Sequence, residues 1–369
     1  MPATVREHRA TAGGTKRALV VGIGLIGGSI GLALRARGWH VTGWDDDPVR
    51  TRAALDHGAI DQAGDDDQAM IAFVATPAAA VAGIARTLLK DPRRPAGFVV
   101  TDVSGVKTQV VGALDDPRFV GGHPMAGSEQ IGLDGADADL FTGAVWVLTP
   151  TPGTDLAAFS LVRDVLTSLG ADLVALSPED HDRLVAIVSH VPHLVAATLM
   201  NAAAQGAVHD AVLLRLAAGG FRDMTRVAAG HPGIWPDVCA DNATAIVHTL
   251  DQVIADLGAI RDQVAKTDRA GLLDVLGRAS TARRHLPARG ARPEHLAELR
   301  VPVADREGVL AEITSVAGLL GVNIYDIEIA HSAEGSRGVL VLVVDEADAA
   351  VLHDAIGARG YRSTTQVLP

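Results

Sequence analysis

The stretch Arg17–Gly38, RALVVGIGLIGGSIGLALRARG, decides the fold. It begins as a short apolar run, turns on glycine, and continues as a helix with small residues on one side. Gly22, Gly24 and Gly27 form G-x-G-x-x-G at the junction, with Leu25 and Ile26 between the second and third glycine. In a strand–turn–helix unit the first glycine makes the tight turn and the second admits a pyrophosphate to the backbone. The third lets helix and strand pack closely. Unpaired N–H groups and the dipole at the helix start then attract phosphate. Asp45 closes the next apolar run, HVTGW, 23 residues after Gly22, where a carboxylate can hold a ribose 2′-hydroxyl. That carboxylate repels a 2′-phosphate, so NAD is favoured over NADP, although Arg50 and Arg52 follow it closely.

Working outward, MIAFVATP and GFVVTDVSG are further short apolar runs that end in turn residues. Such runs, about 25 residues apart with helical segments between, predict an α/β fold with a parallel, doubly wound sheet. RFVGGHP and AVWVLTP add two strands, and residues 16–152 are expected to form this domain. Thr76 and Pro77, and Asp102, end two of the strands on the edge where ligands bind, and are candidate cofactor residues. From about Thr154 the period becomes helical, and residues 153–280 are expected to be an all-helical domain. SPEDHDRLV opens with Ser177 as N-cap and Pro178 at the first helical position. Pro236 to about Thr267 reads as another long helix. Residues 281–296, basic and rich in proline and glycine, read as a linker. Residues 297–369 then give the order βαββαβ, a small ferredoxin-like module.

Composition narrows the function. The chain has 369 residues, 48% apolar and 21% charged, as expected of a globular protein of two or three domains. Its net charge of −12 argues against nucleic acid or an anionic membrane as partner. An anionic substrate must therefore be drawn by a few placed cations or helix N-termini. One cysteine, Cys239, excludes an internal disulfide and reads as a small core residue. Residues 1–15 carry no apolar targeting core and are expected to be disordered, so a cytoplasmic protein is the default.

His123, in GGHPMAGSE, follows a strand and so belongs on the cofactor edge. An imidazole can take a proton near neutral pH, which the oxidation of an alcohol by NAD requires. His190 and His193, in SHVPH, share a helix face that Pro192 is expected to kink. With no third or fourth ligand nearby, they read as a polar pocket wall and not as a metal site. GGFRDMTR supplies Arg222, Asp223 and Arg226, and an arginine in an acidic protein suits a bidentate grip on a carboxylate.

Taken together, VVGIGLIGGSIGLALR, ATP, DVSGVK, GGHPMAGSE, SPEDHD, SHVPH and GGFRDMTR resemble the prephenate dehydrogenase family, in order over roughly residues 17–290. The resemblance implies a Rossmann domain, a helical dimerisation and substrate domain, and a homodimer. It implies NAD-linked oxidative decarboxylation of prephenate to 4-hydroxyphenylpyruvate in tyrosine biosynthesis. By motif position it makes His123 the acceptor for the ring hydroxyl and Arg226 the holder of a substrate carboxylate. His193 and His190 would line the pocket, Glu129 would lie at its edge, and Asp223 would orient nearby groups. The family reads serine-valine-lysine where this chain has Gly105-Val106-Lys107, which leaves Ser104, one residue earlier, as the candidate for the positioning serine.

Residues 297–369 are similar to an ACT domain, which implies pairing and amino-acid binding. Tyrosine is then a possible effector, with Asp305 and Asn323 as candidate contacts. Two rivals stay open: the same chemistry on arogenate, and a regulatory protein that binds NAD and an amino acid without catalysis. A β-hydroxyacid-type dehydrogenase would place a catalytic lysine in the helical domain, but no lysine occurs between Lys107 and Lys266.

Overall fold

A computed structural model describes residues 15–127, 130, 132–209, 212–285, 296–304, 306–331 and 337–368. Residues 1–14, Glu129, Asp305 and residues 286–295 of the expected linker lie outside these. The described part forms two compact units, and the candidate site belongs to the first.

That unit is built on β1 (Arg17–Val21), α1 (Leu25–Ala36), β2 (His40–Trp44), α2 (Pro48–Asp56) and the short β3 (Gln62–Ala63). It continues with β4 (Ile71–Val74), α3 (Ala78–Lys90), β5 (Val99–Asp102), α4 (Thr108–Gly112), β6 (Phe119–Pro124), β7 (Val145–Thr149), α5 (Leu156–Ser168) and β8 (Asp172–Ala175). The strands lie in the order β3-β2-β1-β4-β5-β6-β7-β8. The chain runs one way from β1 to β2 and returns to the other side of β1 at β4. The glycine loop after β1 therefore sits where the strand order reverses, the place where such sheets open a crevice.

From Ala18 to Val21 β1 is apolar because both its faces are covered. Ala18 and Val20 join a core with Ile30 and Leu34 of α1 and Val162 and Leu166 of α5. Leu19 and Val21 join a second core with Val81, Ala85 and Leu88 of α3. Burying each large aliphatic side chain contributes about 1.5–3 kcal/mol, so the strand is held from two sides.

The sheet differs from expectation in two places. β7 pairs antiparallel with β6, and the described residues of the connection between them carry a 3-10 turn at Leu133–Gly135 and no crossover helix. β8, parallel to β7, extends the sheet into the region expected to be all helical. Its four residues, DLVA, are mostly exposed and form too short a run to stand out between the helices on either side.

The rest of the helical region comprises α6 (Pro178–Val185), α7 (Val191–His209), α8 (Gly219–Thr225), α9 (Trp235–Asp241), α10 (Ala243–Ala265) and α11 (Arg269–Arg284). The Ser177 hydroxyl accepts from the Asp180 N–H, so the expected cap is formed. Between α6 and α7 the chain makes a π-helical turn, Ala186–His190, with the Val191 N–H donating to Ala186 O. Pro192 has no N–H to continue the α pattern, and the wider turn absorbs the mismatch. The long helix expected from Pro236 is broken at Asn242, whose side chain is buried and bonded elsewhere. Cys239 on α9 is only partly buried, not a core residue. α11 runs through the start of the expected linker because Ala and Arg favour helix, and Arg283 and Arg284 suit its C-terminal dipole. The continuous helix Pro178–Val208 has the length and the mean hydropathy, 1.5, of a membrane span. It nevertheless carries buried His181, Asp182 and His190, which mark it as part of a protein core.

In the C-terminal region β9 (Leu296–Ala304), α12 (Val309–Leu320), β10 (Ile324–His331), β11 (Arg337–Asp345), α13 (Glu346–Ala358) and β12 (Thr364–Val367) form a sheet in the order β10-β11-β9-β12. All its neighbours are antiparallel. Leu299 and Val301 of β9 pack with Ile313 and Val316 of α12 and Leu352 and Ile356 of α13.

The glycine turn sets a sharp steric test. A Cβ on Gly27 would stand 2.0 Å from Gly22 O, so Gly27→Ala must push α1 off the loop. The variant is expected to lose about 1–3 kcal/mol of stability together with nucleotide affinity. A thermal melt with and without dinucleotide checks this, and wild-type values would refute the close-packing role.

Candidate active site

Gly22 adopts φ +86°, and a Cβ there would meet Ala75 O at 2.6 Å, so only glycine fits between β1 and β4. Gly24 caps α1 with open space where its side chain would be. Neither a side-chain cap nor an acidic residue occupies the first turn that Leu25 and Ile26 begin. The helix start is thus left to an outside anion. Beside it, Asp45 Oδ2 accepts from the Ile23 N–H at 2.8 Å and Oδ1 from the Asp47 N–H at 3.1 Å. Burial opposes ionisation of this carboxylate, but those two bonds and Arg50, 3.5 Å away, hold it below the usual carboxylate range. Thr76 follows β4 on the same edge, and its buried hydroxyl oxygen has no hydrogen-bond partner in the structure. Pro77 caps α3 beside it. An open helix start, an orphaned hydroxyl and a fixed acid suit a dinucleotide.

Asp102 does not belong to this cradle, contrary to expectation. It is fully buried at the end of β5. Its Oδ1 accepts from the Gly122 N–H at 3.0 Å. Its Oδ2 accepts from the Ser104 N–H at 3.0 Å, from the Ser104 hydroxyl and from Lys107 Nζ. Lys107 is fully buried too and also donates to Ser104 Oγ and Gly122 O, each at 2.8 Å. Burial pushes its ammonium pKa down while Asp102 opposes that shift. Ser104 is therefore corrected as well: its hydroxyl is committed to this internal pair and to Val106 O. Gly105 is the residue that faces the histidine, with the position of a Cβ 3.7 Å from His123 Nε2.

His123, half-buried near the end of β6, lies on the edge that carries the glycine loop, because β6, β5, β4 and β1 run parallel. Its Nδ1 is 2.8 Å from His181 Nε2, with the two rings edge to face. His181 Nδ1 is in turn 2.8 Å from Asp182 Oδ1. Asp182 Oδ1 also accepts from the Lys107 N–H and Oδ2 from the Thr108 N–H, both at 2.8 Å. The pKa of His123 is well below the ordinary imidazole value, first through burial and then through His181, Lys107 and His190, with Asp182 acting the other way.

The expected pocket-wall histidines lie on the same unit. His190 is buried, and its Nδ1 is 3.2 Å from Asn242 Nδ2, which also donates to Asp182 O at 2.8 Å. Burial lowers the pKa of His190 and of His193. The His193 ring stacks on Trp235 with centroids 3.7 Å apart, and the Trp235 ring meets His190 edge to face at 6.2 Å. Arg226 opens the exposed 3-10 turn Arg226–Ala229, which packs on α7. Gly230, next in the chain, would place a Cβ 3.7 Å from His193 Cε1. Contacts thus run from His123 through His181, Asp182, Asn242, His190 and Trp235 to His193 and the Arg226 turn. Asp223 is exposed on α8, and Asn323 is exposed ahead of β10 in the C-terminal sheet.

Sequence reading missed His181, Asp182, Lys107, Asn242 and Trp235. A signal existed for two of them. Pro178, His181, Asp182 and Val185 are the buried positions of α6, a helix stripe with a histidine and an acid on its inner face.

An imidazole kept unprotonated on the edge that cradles a dinucleotide makes this a nucleotide-dependent dehydrogenase of the doubly wound class. Residues 30–175 match the nucleotide-binding domain of prephenate dehydrogenase and residues 177–278 its dimerization domain. The chain is 35% identical to the prephenate dehydrogenase of Bacillus subtilis over 341 residues, covering 87% of this chain and 90% of that one. It therefore belongs to the prephenate dehydrogenase family. Among solved structures it resembles the Aquifex aeolicus prephenate dehydrogenase complex with hydroxyphenyl propionate and NAD+ (TM-score 0.68, 28% identity, 74% of this chain and 99% of that one). It also resembles Synechocystis arogenate dehydrogenase (TM-score 0.64, 32% identity, 72% and 98%).

The buried Lys107–Asp102 pair yields a stability prediction. Lys107→Met would leave the Asp102 carboxylate without its countercharge and is expected to cost about 3–5 kcal/mol. The midpoint of urea unfolding measures this, and a loss below about 1 kcal/mol would mean that the pair does not hold β5 to β6.

Proposed function

We propose that this protein catalyses the NAD-dependent oxidative decarboxylation of prephenate to 4-hydroxyphenylpyruvate. The observation that carries this reading is the place of His123 on the cradle edge, with Nε2 facing the space beside Gly105 and with burial holding its pKa well below the ordinary imidazole value. When bound, NAD would supply the hydride acceptor. The Gly24 end of α1 would hold its pyrophosphate and Asp45 a ribose hydroxyl, the carboxylate favouring NAD over NADP.

His123 Nε2 takes the ring hydroxyl proton as the hydride leaves the same carbon. The carbonyl so formed draws in the electron pair of the C–COO⁻ bond on the opposite ring carbon, which breaks to release CO₂. The ring becomes aromatic, and the phenolate oxygen recovers the proton from His123. One hydride and one CO₂ leave, and no net proton is consumed. Aromatisation supplies much of the driving force, so the protein's task is orientation and proton transfer. In this reading Arg226 grips a substrate carboxylate, and the stacked His193 and Trp235 wall the ring site.

The exposed apolar residues Ile187 and Val188 in the first unit, and Leu257, Leu273 and Leu276 in the second, support a homodimer formed through the helical region. The βαββαβ order and antiparallel sheet of the C-terminal region support a ferredoxin-like, ACT-type regulatory module. A cavity of about 190 Å³, lined by Val303, Arg306, Val309, Leu310, Ile329 and Leu340, would accept an amino-acid side chain there, with tyrosine the natural candidate.

Steady-state assays with prephenate and with arogenate, each with NAD and NADP, test the reading. NADH and CO₂ are expected from prephenate. A clear preference for arogenate would reassign the substrate, and inertness toward both would remove the activity. His123→Asn is expected to lower kcat about 10²–10⁴-fold with little change in KM. Arg226→Gln should instead raise KM about 10–100-fold, the loss of a charged hydrogen bond that acts throughout the reaction. The reverse pattern in initial-rate kinetics would exchange the two roles.

A further inference from the structure

The two residues behind His123, His181 and Asp182, fix where the protons lie. Asp182 turns both carboxylate oxygens toward donors: the Lys107 and Thr108 N–H groups and His181 Nδ1, each at 2.8 Å. Although burial opposes its ionisation, these bonds keep the carboxyl below its usual range, so it acts as an acceptor. His181 Nδ1 must then carry the proton between them. With His181 as the neutral imidazole, Nδ1–H is its one donor and Nε2 keeps a lone pair. That lone pair is 2.8 Å from His123 Nδ1, and two nitrogens at this distance share one proton. It belongs to His123 Nδ1, and His123 Nε2 is left bare beside Gly105.

We infer that His181 and Asp182 are positioning residues that lock His123 in the tautomer with its lone pair on Nε2, and that steady the imidazolium formed when that nitrogen takes the substrate proton. This rests on the reading of His123 as the base. Neither residue touches the space beside Gly105 in the bonds described. His181 is wholly buried, and Asp182 stands one imidazole further back. Among the described residues, the other charged or titratable groups that act on His123 are Lys107 and His190. Lys107 is matched by Asp102, and His190 faces Asn242, so Asp182 is the negative charge left to favour a protonated His123. Orientation of a general base by a histidine–carboxylate pair follows the physical logic of a catalytic triad, with a second imidazole inserted between base and acid.

Asp182→Asn tests this, because an amide turned toward His181 donates where the carboxylate accepts. The proton of His181 would move to Nε2, that of His123 would move to Nε2 as well, and the base would lose its lone pair on the substrate side. The expected result is a fall in kcat of about 10²–10⁴-fold. KM and dinucleotide affinity should hold within about twofold, and the acid limb of the kcat–pH profile should move to lower pH. His181→Gln, whose amide oxygen can accept from His123 Nδ1, should retain at least about tenfold more kcat than His181→Phe. A role confined to packing would lower the melting temperature without moving the acid limb or separating Gln from Phe, and that outcome overturns the inference.

If a variant fails to fold, nitrogen-15 NMR of wild-type protein labelled at histidine decides the matter. Both His123 and His181 should report a protonated Nδ1 and a bare Nε2, whereas a proton on Nε2 of His123 overturns the assignment. The spectrum needs no substrate, so inactivity toward prephenate would remove the substrate reading and leave this inference separately decided.

Discussion

The Asp182 carboxylate is the joint on which the site depends. It takes the backbone N–H groups of Lys107 and Thr108, where α4 begins, and binds the neighbouring His181 on α6. One side chain thus fastens the loop after β5 to the first helix beyond the sheet and sets His181 against the end of β6. A buried carboxylate with three charge-assisted bonds is costly to displace, so the spacing between these elements is rigid. Behind it, Asp102 and Lys107 tie β5 to Gly122, the residue before His123. Two buried carboxylates therefore hold the imidazole from both sides.

The same economy explains how a chain of net charge −12 can handle an anion. Among the described residues, the acids near the site are spent internally. Asp102 is neutralised by Lys107, Asp182 is turned to N–H donors, and Asp45 is fixed by Ile23 and Arg50. What faces outward on that edge is a helix start without an acidic residue, neutral histidines and, further along, the Arg226 turn. The π turn serves this arrangement. By widening the helix ahead of Pro192 it accommodates His190 in the core beside Asn242, while His193, one turn on, stacks on Trp235.

Much was legible in the sequence because it is written in local pattern. The glycine spacing, the β1, β2, β4 and β5 runs, the Ser177 cap and the βαββαβ order at the C-terminus all reflect periodicity or turn chemistry within a few residues of themselves. His123 was legible because it follows an apolar run in a glycine-rich turn. β8 was not, since four residues between two helices leave no clear period of two. The antiparallel return of β7 was also hidden, since strand direction is set by the connection and not by the strand's own residues.

By itself the sequence determined the class of fold and pointed to the glycine turn and His123 as candidate cradle and base, because each needs a particular residue at a particular place along the chain. Only the tertiary structure decided which polar groups face inward. Asp102 and Ser104 end a strand as ligand-binding residues would, yet a lysine arriving from the following loop turns both toward the core. His181 and Asp182 look like ordinary polar residues in a capped helix, yet they stand behind His123 because α6 docks against α4 and the end of β6. A hydrogen bond between residues 58 apart in the chain leaves no local pattern, and burial makes it decisive once the chain has closed.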